Sequence, residues 1–197
     1  CRIGVDDQDP EEALDRLADA AVAAGVTTIW VHARKAWLQG LSPRENRDIP
    51  PLDYDRVHRL KRRLPEVFVG LNGGLQTLDA AVAELAHVDG VMLGRAAYQT
   101  PDRLLHVDHR VFGEEERSVD YGAVIDAMAD YAAGHIARGG RLGQVTRHMI
   151  GLFNGMPGAR RWRQILSDGA VKPGAGPELL HEAFAAVRVV PAERDAA

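Results

Sequence analysis

The first 100 residues alternate between short apolar stretches typical of β-strands and amphipathic stretches typical of helices. Four strands are predicted, and they begin near Arg2, Thr27, Val67 and Gly90. Strands that alternate with helices form parallel sheets joined by right-handed crossovers, which predicts a TIM barrel or a doubly wound sheet. Four such units are roughly half of the eight in a TIM barrel. We therefore expect an α/β fold with half of a (β/α)8 barrel.

The start of the chain favours the second half of that barrel. The sequence opens on Cys1 rather than Met, inside the stretch C-R-I-G-V that already has the pattern of a strand. Half a barrel cannot close its own sheet. We therefore expect an upstream half to be missing.

Capping residues mark the helices that join the predicted strands. Pro10 suits the first turn of a helix, and Gly25 suits the position just beyond its end. A second helix is predicted from about Asp53 to Arg63, and Thr77 is placed to cap a third.

Strand patterns disappear after Tyr98, and alanine-rich amphipathic segments follow. Helices are predicted at residues 119–137, 142–153, 160–166 and 178–187. We therefore expect a small all-α domain after the barrel half. The predicted organisation is a barrel half at residues 1–100, a linker at 101–118, the helical domain at 119–190 and a loose tail at 191–197.

Composition excludes several classes of protein. With 46% hydrophobic and 26% charged residues, the sequence is typical of a globular domain. No apolar run is long enough to cross a bilayer and no signal peptide is evident, so no membrane partner is expected. The single cysteine, Cys1, favours the cytoplasm because it cannot form an internal disulfide. The eight histidines lack the paired spacing of metal ligands, so no metal is expected.

Glycine turns follow two consecutive predicted strands. The run N-G-G from Asn72 to Gly74 precedes a helix, and Gly94 with Arg95 follows the next strand. Bare backbone amides at such turns can hold a phosphate, and TIM barrels commonly bind phosphate beyond their last two strands. His32, at the end of the preceding strand, could hydrogen-bond the same ligand. Alternatively, the glycines serve only to let the backbone turn. His32 could likewise form its hydrogen bonds with the nearby backbone instead of with a ligand.

Basic residues crowd two segments, although the net charge is -4. Arginines beside tryptophans suit a polyanion whose bases can stack on aromatic rings, which predicts RNA as the partner. In the helical part of the first segment, acidic neighbours partly neutralise the basic residues. The alternative for that part is a solvent-exposed helix face with no partner. The first segment, 34–63, contains Trp37 in its loop part and the basic residues Arg34, Lys35, Arg44, Arg47, Arg56, Arg59, Lys61, Arg62 and Arg63. The second, in the helical region, contains Trp162 and the basic residues Arg138, Arg141, Arg147, Arg160, Arg161 and Arg163.

The long loop carries the most specific motif, V-H-A-R-K-A-W-L-Q-G-L-S-P-R-E-N-R-D-I-P-P-L-D-Y. It is followed by L-N-G-G, by H-V-D-G-V-M-L-G-R-A-A-Y-Q and by the alanine-rich helical end. In these motifs the chain closely resembles the C-terminal portion of the flavin-dependent tRNA-dihydrouridine synthases, within them the A subfamily. The resemblance covers nearly the whole chain. It implies an FMN-binding TIM barrel followed by a helical tRNA-binding domain. NADPH would reduce the flavin, and the flavin would reduce uridines at and beside position 20 of the tRNA D-loop to 5,6-dihydrouridine.

The resemblance also implies roles for individual residues. The implied cofactor-binding residues are His32, Asn72, Gly73, Gly74, Gly94 and Arg95. The implied tRNA-binding residues are Arg44, Arg47, Arg160 and Arg161. The family's general acid is a cysteine in the first half of the barrel, which Cys1 does not match, so no catalytic residue is expected in this chain. We therefore expect the chain alone to be inactive, and we expect no oligomer.

Two other functions stay open. One is a different phosphate-binding flavin barrel enzyme, or a sugar-phosphate isomerase, that acts on small molecules; the two basic segments argue against it. The other is a non-enzymatic RNA-binding remnant, which the absence of the acid makes physically reasonable.

Overall fold

The computed structural model describes residues 1–189. These residues form two compact units, Cys1–Ala96 and Ala97–Ala197, the second described as far as residue 189. The loose tail predicted at 191–197 lies outside the described residues. The units divide near the predicted end of the barrel half at residue 100, and the predicted domain limits stay a prediction.

The first unit is an α/β structure in which strands alternate with helices. In chain order it contains α1 (Pro10–Ala23), β1 (Thr28–His32), a 3-10 helix (Glu45–Arg47), α2 (Tyr54–Arg63), β2 (Phe68–Asn72), α3 (Leu78–Glu84), β3 (Gly90–Met92) and the beginning of α4 (Arg95–Gln99). The strands are parallel and are hydrogen-bonded in the order β1-β2-β3. The α/β class and the parallel sheet predicted from the alternation are therefore confirmed.

The strand predicted near Arg2 is not a regular strand. This segment lies beside β1 and makes two isolated parallel bridges, one to the last residue of β1 (Arg2 with His32) and one to the loop that follows it (Val5 with Ala36). Asp6 has a left-handed backbone conformation with φ of 47°, which ends the extended segment. The prediction of four strands is therefore wrong for the described residues, whose sheet has three.

Helix boundaries in the first unit follow the predicted caps. The Asp53 and Thr77 side chains each accept a hydrogen bond from the amide three residues on, at 2.9 and 3.1 Å. Helix α1 begins at Pro10, and Gly25 has a φ of +91° just beyond its end. These predictions are confirmed because a cap depends on residues within one helical turn.

Alternate residues of the strands build the core of the first unit. The core side chains from the sheet and from α1 and α2 are Ile29, Val31, Val69, Leu71, Leu14, Ala18, Val57 and Leu60. On the opposite face of the sheet, a methyl group added to Gly70 would lie only 2.3 Å from Trp30 Cε3. Gly70 is therefore required where the indole crosses β2.

Helices are the regular structure of the second unit in its described residues. After α4 come a 3-10 helix (Pro101–Leu104), α5 (Val107–Phe112), α6 (Tyr121–Ala137), α7 (Leu142–Thr146), α8 (Ala159–Gly169) and α9 (Glu178–Phe184). The span predicted as a linker thus contains a 3-10 helix and α5. The helix predicted at 142–153 is wrong beyond residue 146, and α9 ends before the predicted residue 187.

Turns replace the second half of the helix predicted at 142–153, and in these turns the backbone passes close to Gln99. A methyl group added to Gly151 would lie 2.1 Å from the Gln99 carbonyl oxygen, so only glycine fits there. The turns bring Phe153 into the core, where its ring meets the Trp162 ring edge to face, with centroids 4.8 Å apart. Packing between segments therefore overrides the local helical pattern.

Candidate functional site

The strands of the first unit end at one edge, with polar residues side by side. His32 ends β1 and pairs in register with Asn72, the last residue of β2. Met92, the last residue of β3, pairs with Asn72. Gly73–Gly74 and Gly94–Arg95 follow β2 and β3 in sequence, so they leave the sheet at the same edge. The register thus brings the residues predicted to bind a cofactor to the carboxyl edge of the sheet.

His32 is a half-buried ring at this edge. A methyl group added to Gly73 would lie 3.3 Å from His32 Cε1, so the ring and the glycine turn are in contact. The His32 Nδ1 atom is buried and has no hydrogen-bond partner among the described residues. Burial, followed by the charge of nearby arginines, lowers the pKa of His32 from 6.5 to about 4. The imidazole is therefore neutral at neutral pH and has a ring nitrogen available to a ligand.

Four arginines surround His32 closely enough to lower its pKa: Arg2, Arg34, Arg95 and Arg47. Arg2 Nη1 donates to the carbonyl oxygens of Lys35 and Asn46, at 2.9 and 2.8 Å. Arg34 Nη1 donates to the Pro50 carbonyl, and its Nε is buried without a partner among the described residues. Carbonyl oxygens do not neutralise a guanidinium charge, so this edge attracts anions.

Arg2 and Arg34 are not among the cofactor-binding residues predicted from the sequence, although Arg34 belongs to the basic loop at the end of a predicted strand. Arg2 lies in a stretch predicted as a strand, and only the folded chain brings it to His32. Arg34 stands two residues beyond His32, just after the end of a buried strand. That position is the signal that identifies Arg34, because functional residues concentrate on loops at strand ends.

Arg95, at the start of α4, is partly neutralised by the long loop. Its Nη1 lies 2.7 Å from Asp48 Oδ1, and its Nη2 donates to the Arg47 carbonyl at 3.4 Å. The side chains of Arg95 and Asp48 are 45% and 49% exposed. An ion pair this exposed contributes little stability, so a stronger anion can replace Asp48.

The long loop between β1 and α2 is held by hydrogen bonds to its backbone. The Asn46 side chain accepts from the Trp37 amide at 2.8 Å and donates to the Trp37 carbonyl at 2.6 Å. The side chains of Arg44 and Arg47 are exposed, and no hydrogen bond or ion pair joins them to another described residue. An ordered loop therefore presents two free arginines.

In the second unit, Arg160 and Arg161 are exposed residues of α8. Arg161 Nη1 donates to Gln164 Oε1 at 3.1 Å. Trp162 is fully buried, and its Nε1 donates to the Met149 carbonyl at 3.1 Å. This indole therefore belongs to the core, so Trp162 does not support the prediction of RNA as a partner.

Within residues 1–189, no three His, Cys, Asp or Glu side chains gather closely enough to hold a metal ion. The helices in the same range are too short or too polar to cross a membrane. Cys1 has a free, exposed thiol. The candidate site is therefore the cationic edge around His32.

The sequence matches known proteins over almost its whole length. Residues 1–188 match the protein-family model described as Dihydrouridine synthase (Dus). A tRNA-dihydrouridine(20/20a) synthase of Shewanella oneidensis is 51% identical over 187 residues, which cover 95% of this chain and 56% of the relative. Proteins of the same name from Vibrio cholerae and Escherichia coli K12 are 48% and 49% identical, covering 94% and 93% of this chain and 57% and 53% of the relatives. The chain thus spans about half the length of these curated relatives.

Proposed function

Because the chain belongs to the dihydrouridine synthase family, we propose that the gene product containing it is a flavin-dependent tRNA-dihydrouridine synthase that reduces uridines 20 and 20a of tRNA. The observation that carries this proposal is the cationic carboxyl edge, where the neutral His32, the Gly73–Gly74 turn and four arginines lie together. A flavin phosphate and an RNA backbone are both anions, so one edge of this kind suits both.

FMN is the proposed cofactor, with its phosphate at the glycine turn and at Gly94–Arg95. The N–H groups of Gly73 and Gly74 donate to no acceptor among the described residues, so they can bind phosphate oxygens. His32 and Asn72 would contact the flavin beside them. The unpaired Nδ1 of His32 and Nε of Arg34 fit a ligand rich in polar atoms. When bound, the flavin supplies hydride to uracil C6, and NADPH is the proposed reductant.

The reduction also requires a proton at uracil C5, because hydride addition at C6 leaves an enolate-like charge. No residue of this chain is proposed as that acid. Cys1 lies at the edge of β1, where its amino group donates to the Trp30 carbonyl at 2.7 Å. We therefore expect the 197-residue chain, assayed alone, to form no dihydrouridine.

Exposed arginines are the proposed tRNA contacts: Arg44 and Arg47 in the long loop, and Arg160 and Arg161 on α8. The target uridine has to leave its stack to reach the flavin, as base-modifying enzymes generally require. Arginines that hold the surrounding phosphates would keep the RNA in place while the base flips.

The proposed architecture is the second half of a TIM barrel at residues 1–100, a linker at 101–118 and a helical tRNA-binding domain at 119–190. The parallel strands and intervening helices of the first unit support the barrel, and the helices of the second unit support the helical domain. The cytoplasm is the proposed compartment, on the basis of the single cysteine.

The test of this function is binding of both ligands by the same protein. The purified gene product that contains this chain is titrated with FMN while its visible absorption spectrum is recorded, and is separately gel-shifted against tRNA. We expect a bound-flavin spectrum and a shifted tRNA band. Flavin binding without a tRNA shift would instead favour an enzyme acting on small molecules, and a tRNA shift without flavin would favour an RNA-binding protein.

The assignment of roles is tested by Arg44→Ala and Arg47→Ala. Each change should weaken tRNA binding and reduce the slope of log affinity against log salt concentration by about 1, with the flavin spectrum unchanged. Arg62→Ala, at an exposed position of α2, is the matched control and should leave the slope unchanged. Loss of flavin with intact tRNA affinity would reverse the assignment.

A further inference from the structure

The peptide bond between Gly73 and Gly74 is oriented by one side chain from another element. The Tyr54 hydroxyl, in the first turn of α2, donates to the Gly73 carbonyl oxygen at 2.5 Å. Gly73 and Gly74 have φ values of +121° and +70°. A peptide flanked by two glycines can rotate as a plane, since neither residue has a Cβ to restrict it. The hydrogen bond from Tyr54 therefore opposes a rotation that the local sequence permits.

The direction of that carbonyl decides where the next amide points. A trans peptide is planar, so the Gly73 carbonyl and the Gly74 N–H point in opposite directions. With the carbonyl bound to Tyr54, the Gly74 N–H points away from the Tyr54 hydroxyl. This N–H has no acceptor among the described residues. The contact with Tyr54 thus leaves a donor of fixed direction in the turn.

Tyr54 itself is held firmly enough to act in this way. Its ring packs against the core of the first unit. The preceding residue, Asp53, caps α2, and its amide donates to the Ala33 carbonyl at 2.8 Å. Burial, and then the negative charge of Glu84, raise the pKa of Tyr54 above its usual value of 10.0, so the hydroxyl keeps its proton. Leu52 covers the turn from the same segment, since a methyl group added to Gly74 would lie 2.5 Å from Leu52 Cδ1.

We propose that Tyr54 is a positioning residue that fixes the Gly73–Gly74 peptide so that its free amide binds a phosphate, and thereby makes the site select phosphorylated flavin over riboflavin. The inference rests on the proposed function, because it assumes that the flavin phosphate lies at this turn. Tyr54 acts through the glycine turn and contacts no reacting atom.

The experiment compares two ligands that differ only in the phosphate. FMN and riboflavin are titrated separately into the gene product that contains this chain, with flavin fluorescence as the readout. Tyr54→Phe removes the hydroxyl and keeps the ring, so the core packing is preserved. We expect the variant to lose about tenfold in FMN affinity, which is the size expected for one hydrogen bond, and to keep its riboflavin affinity. Tyr131→Phe, at an exposed tyrosine of α6, is the control and should change neither affinity.

Each alternative outcome has a distinct meaning. An unchanged ratio of FMN to riboflavin affinity in Tyr54→Phe overturns the inference and leaves the proposed function standing. Equal loss of both affinities also overturns it, because a general disturbance of the site does not distinguish the two ligands. If the unsubstituted protein binds neither flavin, the proposed function fails, and the inference fails with it.

Discussion

Two groups of arginines in the first unit differ in the partners that their guanidinium groups contact. The clamp arginines on α2 pair with carboxylates of α1, and the edge arginines surround His32. The clamp arginines are Arg56, Arg59 and Arg63, and the edge arginines are Arg2, Arg34, Arg47 and Arg95. Arg56 lies 2.6 Å from the Asp15 carboxylate, whereas Arg2 donates only to backbone carbonyls. The first group is neutralised within the unit, and the second keeps most of its charge for a ligand.

This difference shows that basic residues close together in the sequence do not all belong to one basic surface. The segment 34–63 contains both edge and clamp arginines. The clamp arginines form ion pairs with three carboxylates of α1, which are Glu11, Asp15 and Asp19. Only the loop part of the segment therefore supports the proposal of a polyanionic partner.

The first prediction concerns the stability that the clamp arginines provide. Arg56 is 1% exposed, and it bonds to the Asp15 carboxylate and to the carbonyls of Pro10 and Glu11. Arg56→Ala should lower the free energy of unfolding by about 2 kcal/mol, because it leaves a cavity and unpaired polar groups. Urea denaturation measures this change. Arg59→Ala removes a clamp arginine that is 43% exposed and should cost much less stability than Arg56→Ala, because solvent screens its ion pair with Glu11. Equal losses of unfolding free energy in the two variants would mean that burial of Arg56 does not increase its contribution to stability.

The next effect concerns ligand binding at the edge. Arg95→Ala should reduce FMN affinity about tenfold, because a charge-assisted bond to phosphate is lost. The unfolding free energy should change by less than about 0.5 kcal/mol, since the pair with Asp48 is exposed. Fluorescence titration and urea denaturation measure the two quantities. Arg63→Ala, from the clamp, is the matched control. If it weakened FMN binding as much as Arg95→Ala does, the distinction between clamp and edge would not hold.

A third effect is a pH dependence at the edge. The pKa of His32 is lowered by burial and by the arginines to about 4, from 6.5 in the unfolded chain. The unfolded chain therefore binds the His32 proton more readily, and stability should fall as pH decreases from about 6.5 towards 4. Urea midpoints measured across this range should fall less in His32→Gln than in the unsubstituted chain. His109→Gln, at an exposed histidine, should behave like the unsubstituted chain. Equal pH dependence in all three proteins would mean that burial and the nearby arginines do not lower the pKa of His32 in the folded protein.

Much of the first unit follows from local sequence. Asp53, Thr77 and Gly25 act where their residue types predict, because a cap requires only neighbours within one turn. The proximity of His32 and Asn72 also follows from the alternation of strands and helices, because parallel strands have their carboxyl ends at one edge of the sheet. The strand near Arg2 and the helix beyond residue 146 were predicted incorrectly because contacts with other segments decide them.

Residue types and their short spacing were enough to predict the alternation of strands and helices, the caps, the residues at the strand ends and the resemblance to the dihydrouridine synthases. These features depend on residue type and short spacing, so they can be seen without coordinates. The folded chain was needed to learn which arginines face carboxylates, that Trp162 belongs to the core, and that the Tyr54 hydroxyl donates to the Gly73 carbonyl. The physical reason is that a side chain's role depends on its partner, and these partners lie 13 or more residues away along the chain.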